Sequence, residues 1–516
     1  MSGDVVIVGG GPTGLMLACE LALAGIRPLV LERLSAPSDE PKANGLLGQV
    51  VRLVDHRGLH ERLGGPGRPR PNSAYFMFAA MGLDLSLLDD SPIYALPVPQ
   101  PRLVQVLEER AVELGVEIRR GHELTGLTQD GDGVTLDFAS EDGACRLRAA
   151  YAIGADGGHS PTRKLAGVEF PGYSHDRVIG RHAHVSIPAE ALDPASGALR
   201  VPGHGGIMPF LPHRTEHGMF SYAPLPGRPP LVSTSEWDQP EPEEPMSLDE
   251  LQASVRRVLG ADLPLGPPAG EGPHVLRRLA GGNTRVAERY RDRRVFLAGD
   301  AAHVGTGGGS GLNLGLQDAA NLAWKLAAEI AGGAPPGLLD TYETERRPAA
   351  QRMVMYTQAQ GALISPGPDV TALRSLFGEL LRSPDTVRLL ADLTAGSDIR
   401  YDMGVEDPHP LVGGFAPDLD LETASGPVRL AELTRTARPL LLDLTEDGTV
   451  ARAAPRDGLD IVTARARGAA PAVTALLLRP DCYVAWATAS PRPGAPEGDA
   501  LRAAWRQWFD RPPSAG

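Results

Sequence analysis

A glycine-rich turn near the N-terminus constrains the fold of this chain more than any other feature. Residues 9–14 carry the letters GGGPTG, which is the GxGxxG spacing. An apolar segment over 4–8 predicts a buried strand before the turn, and apolar residues at helical spacing predict a helix that ends near Gly25. A second apolar strand over 28–31 ends at Glu32. Strand, helix and strand in this order predict an α/β fold with a parallel sheet.

The same turn is typical of a dinucleotide-binding site. The first glycine permits a sharp turn, the second lets a pyrophosphate approach the backbone, and the third lets the helix pack on the strand. The N–H groups at the start of the helix point at the phosphates, and an acidic residue that ends the second strand accepts hydrogen bonds from ribose hydroxyls. This unit serves FAD and NAD alike. The residues predicted to hold the dinucleotide here are Gly9, Gly11, Pro12, Thr13, Gly14 and Glu32.

The charge balance and the cysteines exclude several classes of partner. The chain has 50 Lys and Arg against 64 Asp and Glu, a net charge of −14, and no concentrated basic stretch, so we expect no nucleic-acid partner. Three cysteines far apart in the sequence argue against disulfides and a metal site, and they suit a reduced, cytoplasmic protein. We see no signal peptide, and glycines interrupt the one N-terminal apolar stretch, so we expect no membrane span. A monomer or a homodimer is expected.

Changes of pattern along the 516 residues predict about three domains. Short strands broken by proline and glycine between 185 and 235 predict a β-rich domain. A long helix is predicted over 312–330, and a Pro/Gly-rich stretch over 404–418 predicts a linker. The expected domains are a discontinuous first domain, 1–175 and 275–400, a β-rich domain, 176–274 with part of 72–98, and a C-terminal domain, 405–516.

Two later segments place a Gly/Asp turn after an apolar strand. Asp156 and Gly157 follow a strand predicted over 149–154, and Gly299 and Asp300 follow one predicted over 295–298. A carboxylate at such a strand end can order a loop that contacts a cofactor ribose. Ordinary turn chemistry explains each segment as well.

The three motifs together, in this order and spacing, resemble those of the class A flavin-dependent aromatic hydroxylases, which are single-component FAD monooxygenases. Segments 41–46, 309–313 and 321–326 also match, and the resemblance covers roughly residues 4–355. Segment 478–486 resembles the thioredoxin-like extension of the members that hydroxylate aromatic polyketides, although it has no CxxC pair. The resemblance implies a Rossmann-like FAD-binding domain of the para-hydroxybenzoate hydroxylase type, an inserted β-sheet substrate domain and a thioredoxin-like C-terminal domain without redox activity.

The implied function is hydroxylation of a polycyclic aromatic or phenolic substrate, of the polyketide type found in antibiotic biosynthesis. NADPH, or NADH, would reduce the FAD, and dioxygen would give a flavin hydroperoxide that transfers its terminal oxygen to the ring. Only one GxGxxG has a strand–turn–helix setting, so the nicotinamide is expected to bind transiently. Two alternatives are Baeyer–Villiger or ring-opening oxygenation of a quinone or ketone, and a non-catalytic flavoprotein that binds an aromatic ligand.

The resemblance also implies which residues contact FAD. Glu32 is expected on the adenosine ribose and Asp300 near the ribityl-pyrophosphate, while Asp156 supports both FAD and the reductant. The helix after the second glycine run would direct its N-terminal N–H groups at the flavin, where negative charge develops on reduction. The cofactor residues predicted beyond the first turn are Arg33, Lys42, Gln49, Gln100, Arg102, Leu124, Asp156, Asp300, Gly309, Gly311, Leu312 and Asn313.

The segment from His303 to Gly309 departs from the family's pattern. Family members carry one or two prolines there, whereas this chain has none and is one residue shorter, so that Thr306 stands where a proline would face the flavin. Such a loop is less rigid. Two interpretations fit this departure: a loop that differs in sequence while the reaction is unchanged, or a loop that alters the oxygen transfer. Lys42 stands where arginine is common, and Gln49 where arginine or glutamine is found.

No general base can be assigned from the sequence, and the catalytic candidates are His303 and Thr306 in this loop. A lone histidine beside a glycine loop is more often structural than catalytic. Met208, Phe210 and Tyr222 lie on strands predicted for the β-rich domain and are candidates for the wall of the substrate pocket. Packing in the core would explain each of them as well.

Overall fold

In the computed structural model, the strand before the glycine turn lies inside a central sheet of eight strands. Ser2–Val8 pairs in parallel with Leu29–Glu32 on one side and with Gly143–Gly154 on the other. Glu117–Arg120 and Val295–Leu297 extend the parallel part outward. The antiparallel strands of this sheet are Glu123–Gln129, Val134–Ser140 and Arg291–Asp292. The predicted α/β fold with a parallel sheet is therefore confirmed.

The structure describes residues 2–38, 43–175, 177–224, 227–305, 310–468 and 473–510. Three of the residues singled out above, Lys42, Thr306 and Gly309, lie outside these ranges.

Helices pack on the central sheet and on one another. The helix after the glycine turn, Pro12–Leu23, packs against Gln100–Glu113 and against the long helix Ser310–Ile330, which the sequence predicted. Proline at the first position of Pro12–Leu23 suits the start of a helix, because that position needs no intrahelical N–H bond. None of the described helices is long and apolar enough to cross a membrane. The other helices are Gln49–His56, Pro161–Leu165, Leu248–Leu259, Thr341–Ile364, Pro368–Leu380, Pro384–Ala395, Leu430–Leu433, Thr449–Ala453 and Ala495–Phe509, with single 3₁₀ turns at Leu85–Leu87, Ala189–Ala191, Gly299–Ala301 and Leu338–Asp340.

A second, antiparallel sheet of five strands, here called the middle sheet, forms the β-rich part of the chain. Buried and partly exposed residues alternate along its central strand, so one face of the sheet is buried. Helix Leu248–Leu259 covers that face and shares a core with it that includes Phe220 and Val232. The strands of the middle sheet, in spatial order, are His213–Arg214, Met219–Ala223, Leu231–Trp237, Val178–His184 and Leu276–Ala280.

Smaller sheets connect the larger layers. Gly172–Ser174, Asn283–Val286 and His303–Val304 form a three-stranded sheet that joins the middle sheet to the loop after the central sheet. The two-stranded pairs are Gly45–Leu47 with Ala95–Pro97, Tyr75–Phe78 with Met81–Asp84, and Leu199–Val201 with Gly205–Ile207.

The C-terminal part has a mixed four-stranded sheet of its own. Its strands, in spatial order, are Asp460–Thr463, Leu440–Asp443, Ala475–Leu478 and Val484–Thr488, and a three-stranded sheet of Asp420–Thr423, Gly426–Arg429 and Arg465–Ala466 lies beside it. The segment predicted as a linker over 404–418 has neither helix nor strand, yet Val412 and Ala416 are buried in the C-terminal core. Trp324 of the long helix belongs to the same core, so the C-terminal part is firmly docked.

A buried cluster of charged side chains crosses this interface. Arg479 donates to both carboxylate oxygens of Glu345, at 2.6 and 2.8 Å, and also to Asp481 at 3.0 Å. Lys325 Nζ donates to Glu345 at 2.7 Å, and the amide of Asn321 donates to Glu345 at 2.6 Å. We call these five residues the interface cluster. Every charge in it has a partner of opposite sign, which is the condition for keeping charges buried.

Candidate functional site

A cavity of about 890 Å³ lies at the carboxyl ends of the parallel strands, where open α/β sheets bind their ligands. The glycine turn, the end of the second strand and the start of helix Gln100–Glu113 form one part of its wall. The turns after Gly143–Gly154 and Val295–Leu297 form the other part, with the start of the long helix. The sequence-predicted residues that line the cavity are Gly9, Gly11, Pro12, Thr13, Glu32, Arg33, Gln100, Leu124, Asp156, Asp300, Gly311 and Leu312.

The three glycines of the first turn have different surroundings. Gly9 has a φ of 112°, and a Cβ there would lie 2.3 Å from the carbonyl oxygen of Ala155. A Cβ on Gly14 would lie 2.0 Å from the carbonyl oxygen of Gly9, so this glycine lets the helix pack on the turn. A Cβ on Gly11 would have nothing within 4 Å, because this position faces the open cavity. No side chain caps the helix that follows, and its first turn has no acidic residue, so its N–H groups suit an anionic ligand.

The carboxylate of Glu32 is held in place at the cavity wall by the backbone. Oε2 accepts a hydrogen bond from the N–H of Gly10 at 2.7 Å, and Oε1 accepts one from the N–H of Leu34 at 2.9 Å. Each carboxylate oxygen has a second acceptor position. Glu32 therefore has the fixed position and the acceptor capacity needed to bind a pair of ribose hydroxyls.

Asp156 orders the turn that follows the strand Gly143–Gly154. One carboxylate oxygen accepts from the hydroxyl of Ser160, and the other accepts from the N–H and the hydroxyl of Thr162 at 2.9 and 2.7 Å. The same turn is tied to the next one by buried Arg163, whose guanidinium donates to the carbonyl oxygens of Ala301 and Gly158 at 2.9 and 3.0 Å. Asp156 thus supports the shape of the wall that it lines.

Thr13 brings the two glycine-containing halves of the site together. A Cβ on Gly299 or on Gly315 would lie 2.5 Å from the hydroxyl oxygen of Thr13, so both glycines are needed for this close contact. The contact brings the turn that carries Asp300 against the start of the first helix. On the other side, a Cβ on Gly311 would lie 3.3 Å from Oδ1 of Asp300. Asp300 therefore lies between the N-terminal ends of two helices, both of which line the cavity.

His303 lies behind the cavity wall rather than in it. Its side chain is fully buried, and Nε2 lies 2.6 Å from Oδ2 of Asp318. The same carboxylate accepts from the N–H of Gly299 at 3.1 Å and from buried Arg346 at 2.7 Å. Burial alone would raise the pKa of Asp318, but the charges of His303 and Arg346 hold it below its usual range. This arrangement favours the structural interpretation of His303 over the catalytic one.

Four of the predicted cofactor residues lie away from the cavity surface. Arg102 is exposed and donates to Gln105 and to the carbonyl oxygen of Arg62. Arg102 follows Gln100 by two residues, and two residues turn a helix by about 200°, so its side chain points to the opposite side of the helix. Gln49 is buried and accepts from Arg52 at 3.1 Å. Asn313 accepts from the N–H of Leu47 at 3.1 Å, and Gly14 packs inside the turn. These residues position parts of the wall without lining it.

The predicted substrate residues lie outside the cavity as well. The strand predicted over 207–211 ends at Ile207, and Met208 and Phe210 follow it in a turn, where they are 42% and 55% exposed. Tyr222 is buried in the core under helix Leu248–Leu259, since it shares a face of the middle sheet with Phe220. Tyr222 thus packs in the core, in line with the alternative interpretation, and does not line this cavity.

Sequence reasoning missed several polar side chains of the cavity wall, of which His122 shows the available signal. It follows the strand Glu117–Arg120, and its N–H donates to the carbonyl oxygen of Glu32 at 2.9 Å. Because parallel strands end at one edge of a sheet, residues after the strand predicted over 116–118 could have been placed there. The wall residues missed near this strand are Arg120, His122 and Glu123, and those missed after the strand Gly143–Gly154 are His159 and Lys164.

Comparisons with known proteins agree with this geometry. A family model described as FAD binding domain matches residues 2–357, and one described as aromatic-ring hydroxylase, C-terminal, matches residues 409–512. The 12-dehydrotetracycline 5-monooxygenase/anhydrotetracycline 6-monooxygenase of Streptomyces rimosus is 43% identical over 524 residues, which cover 99% of each chain.

Two further relatives cover nearly the whole chain. Rifampicin monooxygenase of Streptomyces venezuelae is 40% identical over 487 residues, 94% of this chain and 95% of that protein. The solved structure of an anhydrotetracycline hydroxylase from Streptomyces rimosus is 41% identical and superposes with a TM-score of 0.85 over 100% of both chains. The similarity therefore extends through the C-terminal part and is not confined to the cofactor domain.

Proposed function

The chain belongs to the FAD-binding aromatic-ring hydroxylases and is a flavin-dependent monooxygenase, and from this premise we propose that it hydroxylates a polycyclic aromatic polyketide with NADPH as reductant. The observation that carries the proposal is the cavity, whose wall joins the glycine turn to the start of the long helix and has Glu32 and Asp300 along it. Relatives that match the chain end to end are monooxygenases of tetracycline intermediates and of rifampicin.

The residues of the cavity fit FAD. The uncapped helix Pro12–Leu23 would bind the pyrophosphate, with Gly11 leaving room for it, and Glu32 would accept from the hydroxyls of the adenosine ribose. Gly311 and Leu312 would hold the flavin end, where the N-terminus of the long helix favours negative charge. When bound, FAD supplies the transfer of one atom of dioxygen to the substrate with electrons from the nicotinamide. The chain's own part is to bind, orient and exclude water.

The remaining assignments are part of the same proposal. One GxGxxG turn in a strand–turn–helix setting implies that NADPH, or NADH, visits the site transiently. Cys482, the one cysteine of residues 405–516, is buried without a disulfide and burial raises the pKa of its thiol, so we propose that the C-terminal domain has no thiol activity. Free cysteines suit a cytoplasmic protein, and we propose a monomer or a homodimer.

A direct test measures NADPH oxidation by the purified, yellow holoenzyme with anhydrotetracycline as the probe substrate. We expect the probe to accelerate NADPH oxidation and the product to gain one oxygen atom from labelled dioxygen. A product that is a lactone instead of a phenol would favour Baeyer–Villiger insertion. Protein that binds neither FAD nor the probe would contradict the proposal, and probe binding without NADPH oxidation would favour the non-catalytic alternative.

Replacing Glu32 by glutamine is expected to weaken FAD binding about tenfold. The amide keeps one acceptor oxygen, but its NH₂ group faces a backbone N–H, at Gly10 or at Leu34, and a hydrogen bond to a charged acceptor is lost. Fluorescence titration of the apoprotein with FAD measures the affinity. Glu117→Gln, at an exposed residue of the neighbouring strand, is the matched control and should bind FAD like wild type. Equal affinity of Glu32→Gln and wild type would remove Glu32 from the site.

A further inference from the structure

Residues 299–303, here called the wall turn, pack against one face of the long helix. Gly311, Gly315 and Asp318 of this helix follow one another at intervals of four and three residues, so they lie on the same face. A Cβ on Gly315 would lie 3.0 Å from Cα of Gly299. Glycine at two of the three positions lets the helix approach the turn closely, and the third position brings a carboxylate to it.

This one carboxylate contacts both ends of the wall turn. Oδ2 of Asp318 accepts a hydrogen bond from the N–H of Gly299 at 3.1 Å, and the same oxygen lies 2.6 Å from Nε2 of His303. Asp300 lies between the two ends and Val304 follows them directly, and both of these residues line the cavity. Asp318 therefore fixes the part of the wall that they form, although it does not line the cavity itself.

A buried arginine holds the carboxylate from the side away from the turn. Nε of Arg346, on helix Thr341–Ile364, donates to Oδ1 of Asp318 at 2.7 Å. The other two nitrogens of the guanidinium donate to the hydroxyl of Tyr401 at 2.8 Å and to the carbonyl oxygen of Leu314 at 3.2 Å. Both charged side chains are fully buried. Because the arginine has three fixed partners, it holds the carboxylate in one orientation.

Tyr401 connects this arrangement to the C-terminal core. Its ring stacks on that of Tyr483, with centroids 4.1 Å apart and an angle of 26° between the planes. Its N–H donates to the carbonyl oxygen of Gly413 at 2.8 Å. Both tyrosines are buried in that core. A continuous path of contacts therefore runs from the C-terminal core through Arg346 and Asp318 to the wall turn.

The path places a pair of opposite charges directly behind the wall turn. Burial would raise the pKa of Asp318, but the charges of His303 and Arg346 hold it below its usual range. Burial would lower the pKa of Arg346, but Tyr401 and Asp318 hold it well above its usual value. Both groups are therefore charged and compensate each other. A neutral amide in place of the carboxylate would leave a buried positive charge uncompensated, and such a charge acts strongly where water is excluded.

We propose that Asp318 is a positioning residue of this monooxygenase, which acts by holding the wall turn against FAD. Asp300 and Val304 are the residues that it positions, and Arg346 and Tyr401 hold it from the C-terminal side. This assignment rests on the proposed placement of FAD in the cavity. It makes FAD binding depend on the hydroxyl of a tyrosine that belongs to the C-terminal core.

The test measures the affinity of the apoprotein for FAD by fluorescence titration and the midpoint potential of the bound flavin by equilibration with a reference dye. Asp318→Asn should weaken FAD binding about tenfold, since the amide turns a donor either toward Arg346 or toward the wall turn. The potential should become more positive, because the uncompensated guanidinium favours the negative charge of the reduced flavin. Tyr401→Phe keeps every charge and should weaken FAD binding about threefold at an unchanged potential.

His303 provides a test by rescue, and an exposed carboxylate provides the control. His303→Leu loses the contact with Asp318 and should weaken FAD binding several-fold, whereas His303→Gln can donate to the carboxylate and should recover most of the affinity. Asp340→Asn is the matched control, because Asp340 is exposed and pairs with Arg291 at the surface. Its affinity for FAD and its flavin potential should equal those of wild type.

The outcomes separate this assignment from the proposed function. Weaker FAD binding and a more positive potential in Asp318→Asn, with recovery in His303→Gln, support the assignment. Wild-type affinity and potential in Asp318→Asn overturn it, even where the unfolding temperature has fallen, because the role is then only structural. If Asp318→Asn yields no folded protein, wild-type FAD affinity in Tyr401→Phe overturns the assignment instead.

The proposed function fails by a different measurement. Wild type that binds FAD but does not oxidise NADPH with the probe substrate contradicts the proposed function, and the affinities and potentials still decide the role of Asp318. Wild type that binds no FAD overturns both.

Discussion

Alanine at Gly11 is expected to abolish FAD retention and leave the fold intact. A Cβ at this position would meet nothing within 4 Å, and the backbone there, with φ of −77° and ψ of −178°, is allowed for alanine. The new methyl group would instead fill the space through which a pyrophosphate approaches the backbone. We expect FAD affinity to fall at least about a hundredfold, roughly 2.7 kcal/mol. Flavin absorbance of the purified variant and titration of its apoprotein measure the loss.

Alanine at Gly14 is the matched comparison, and we expect it to lower the stability of the fold first and FAD affinity only as a consequence. Its Cβ would lie 2.0 Å from the carbonyl oxygen of Gly9, which is backbone and cannot swing aside. Overpacking of this kind costs about 1–3 kcal/mol or more, so the unfolding temperature of the apoprotein should fall by about 1–3 °C. Equal unfolding temperatures for wild type and both variants, with FAD still bound by Gly11→Ala, would contradict the roles assigned to the two glycines.

The glycine turn and its flanking elements could be predicted from the sequence alone. The turn, its flanking strands and Glu32 were predictable because the chemistry is local: three glycines and an acid meet their requirements within about one β-α-β unit. The assignment of Asp156 and Asp300 to the cofactor site was predictable only through the resemblance, since each motif alone is an ordinary turn. The structure then places both at the same edge of one sheet, where the cavity lies.

Residues whose role depends on orientation could not be predicted in the same way. Gln100 lines the cavity and Arg102 does not, although they are two positions apart, because the helix turns them to opposite sides. Tyr222 was predicted to line the pocket because it lies on a strand of the β-rich domain. Which face of that strand is buried in the core depends on the side of the sheet that the covering helix occupies. The helix Leu248–Leu259 lies far along the chain from Tyr222, and no local pattern connects them.

His303 shows the same limit for a polar residue. Its sequence neighbours predict a loop, and only the fold brings in Asp318 from the long helix and Arg346 from the next one. With these partners the histidine joins the loop to the helix that begins at the cavity. Pairing between residues so far apart in the sequence depends on the tertiary structure. The sequence alone therefore cannot decide whether a lone histidine has a catalytic or a structural role.

The interface cluster joins the C-terminal domain to the long helix and to the helix that follows it. Asn321 and Lys325 lie on the long helix, whose first turn lines the cavity, and Glu345 lies on the helix that follows. Arg479 and Asp481, from the C-terminal domain, complete the cluster. The domain therefore holds the helix that carries Gly311 and Leu312, and its docking and the shape of the cavity are coupled through that helix.

Replacing Arg479 by methionine is expected to destabilise the whole chain. The side chain is fully buried, and its loss would leave the carboxylates of Glu345 and Asp481 buried with too few partners. Burial would raise the pKa of Glu345, and it is the charges of Arg479 and Lys325 that hold it at about 2. Breaking a buried pair in this way costs about 3–5 kcal/mol, and we expect the unfolding temperature to fall by about 3–5 °C. Differential scanning calorimetry measures the effect.

Loss of flavin at moderate temperature should accompany the fall in stability of Arg479→Met, because the long helix loses its anchor. Arg502→Ala is the matched control: this arginine pairs with Asp499 on the surface, where both side chains are exposed, and such pairs contribute about 0–1 kcal/mol. Lysine at 479 should rescue only in part, since an ammonium cannot bond both carboxylates as a planar guanidinium does. If Arg479→Met kept wild-type stability and flavin, apolar packing around Trp324 would suffice to dock the domain, and the coupling would not pass through these charges.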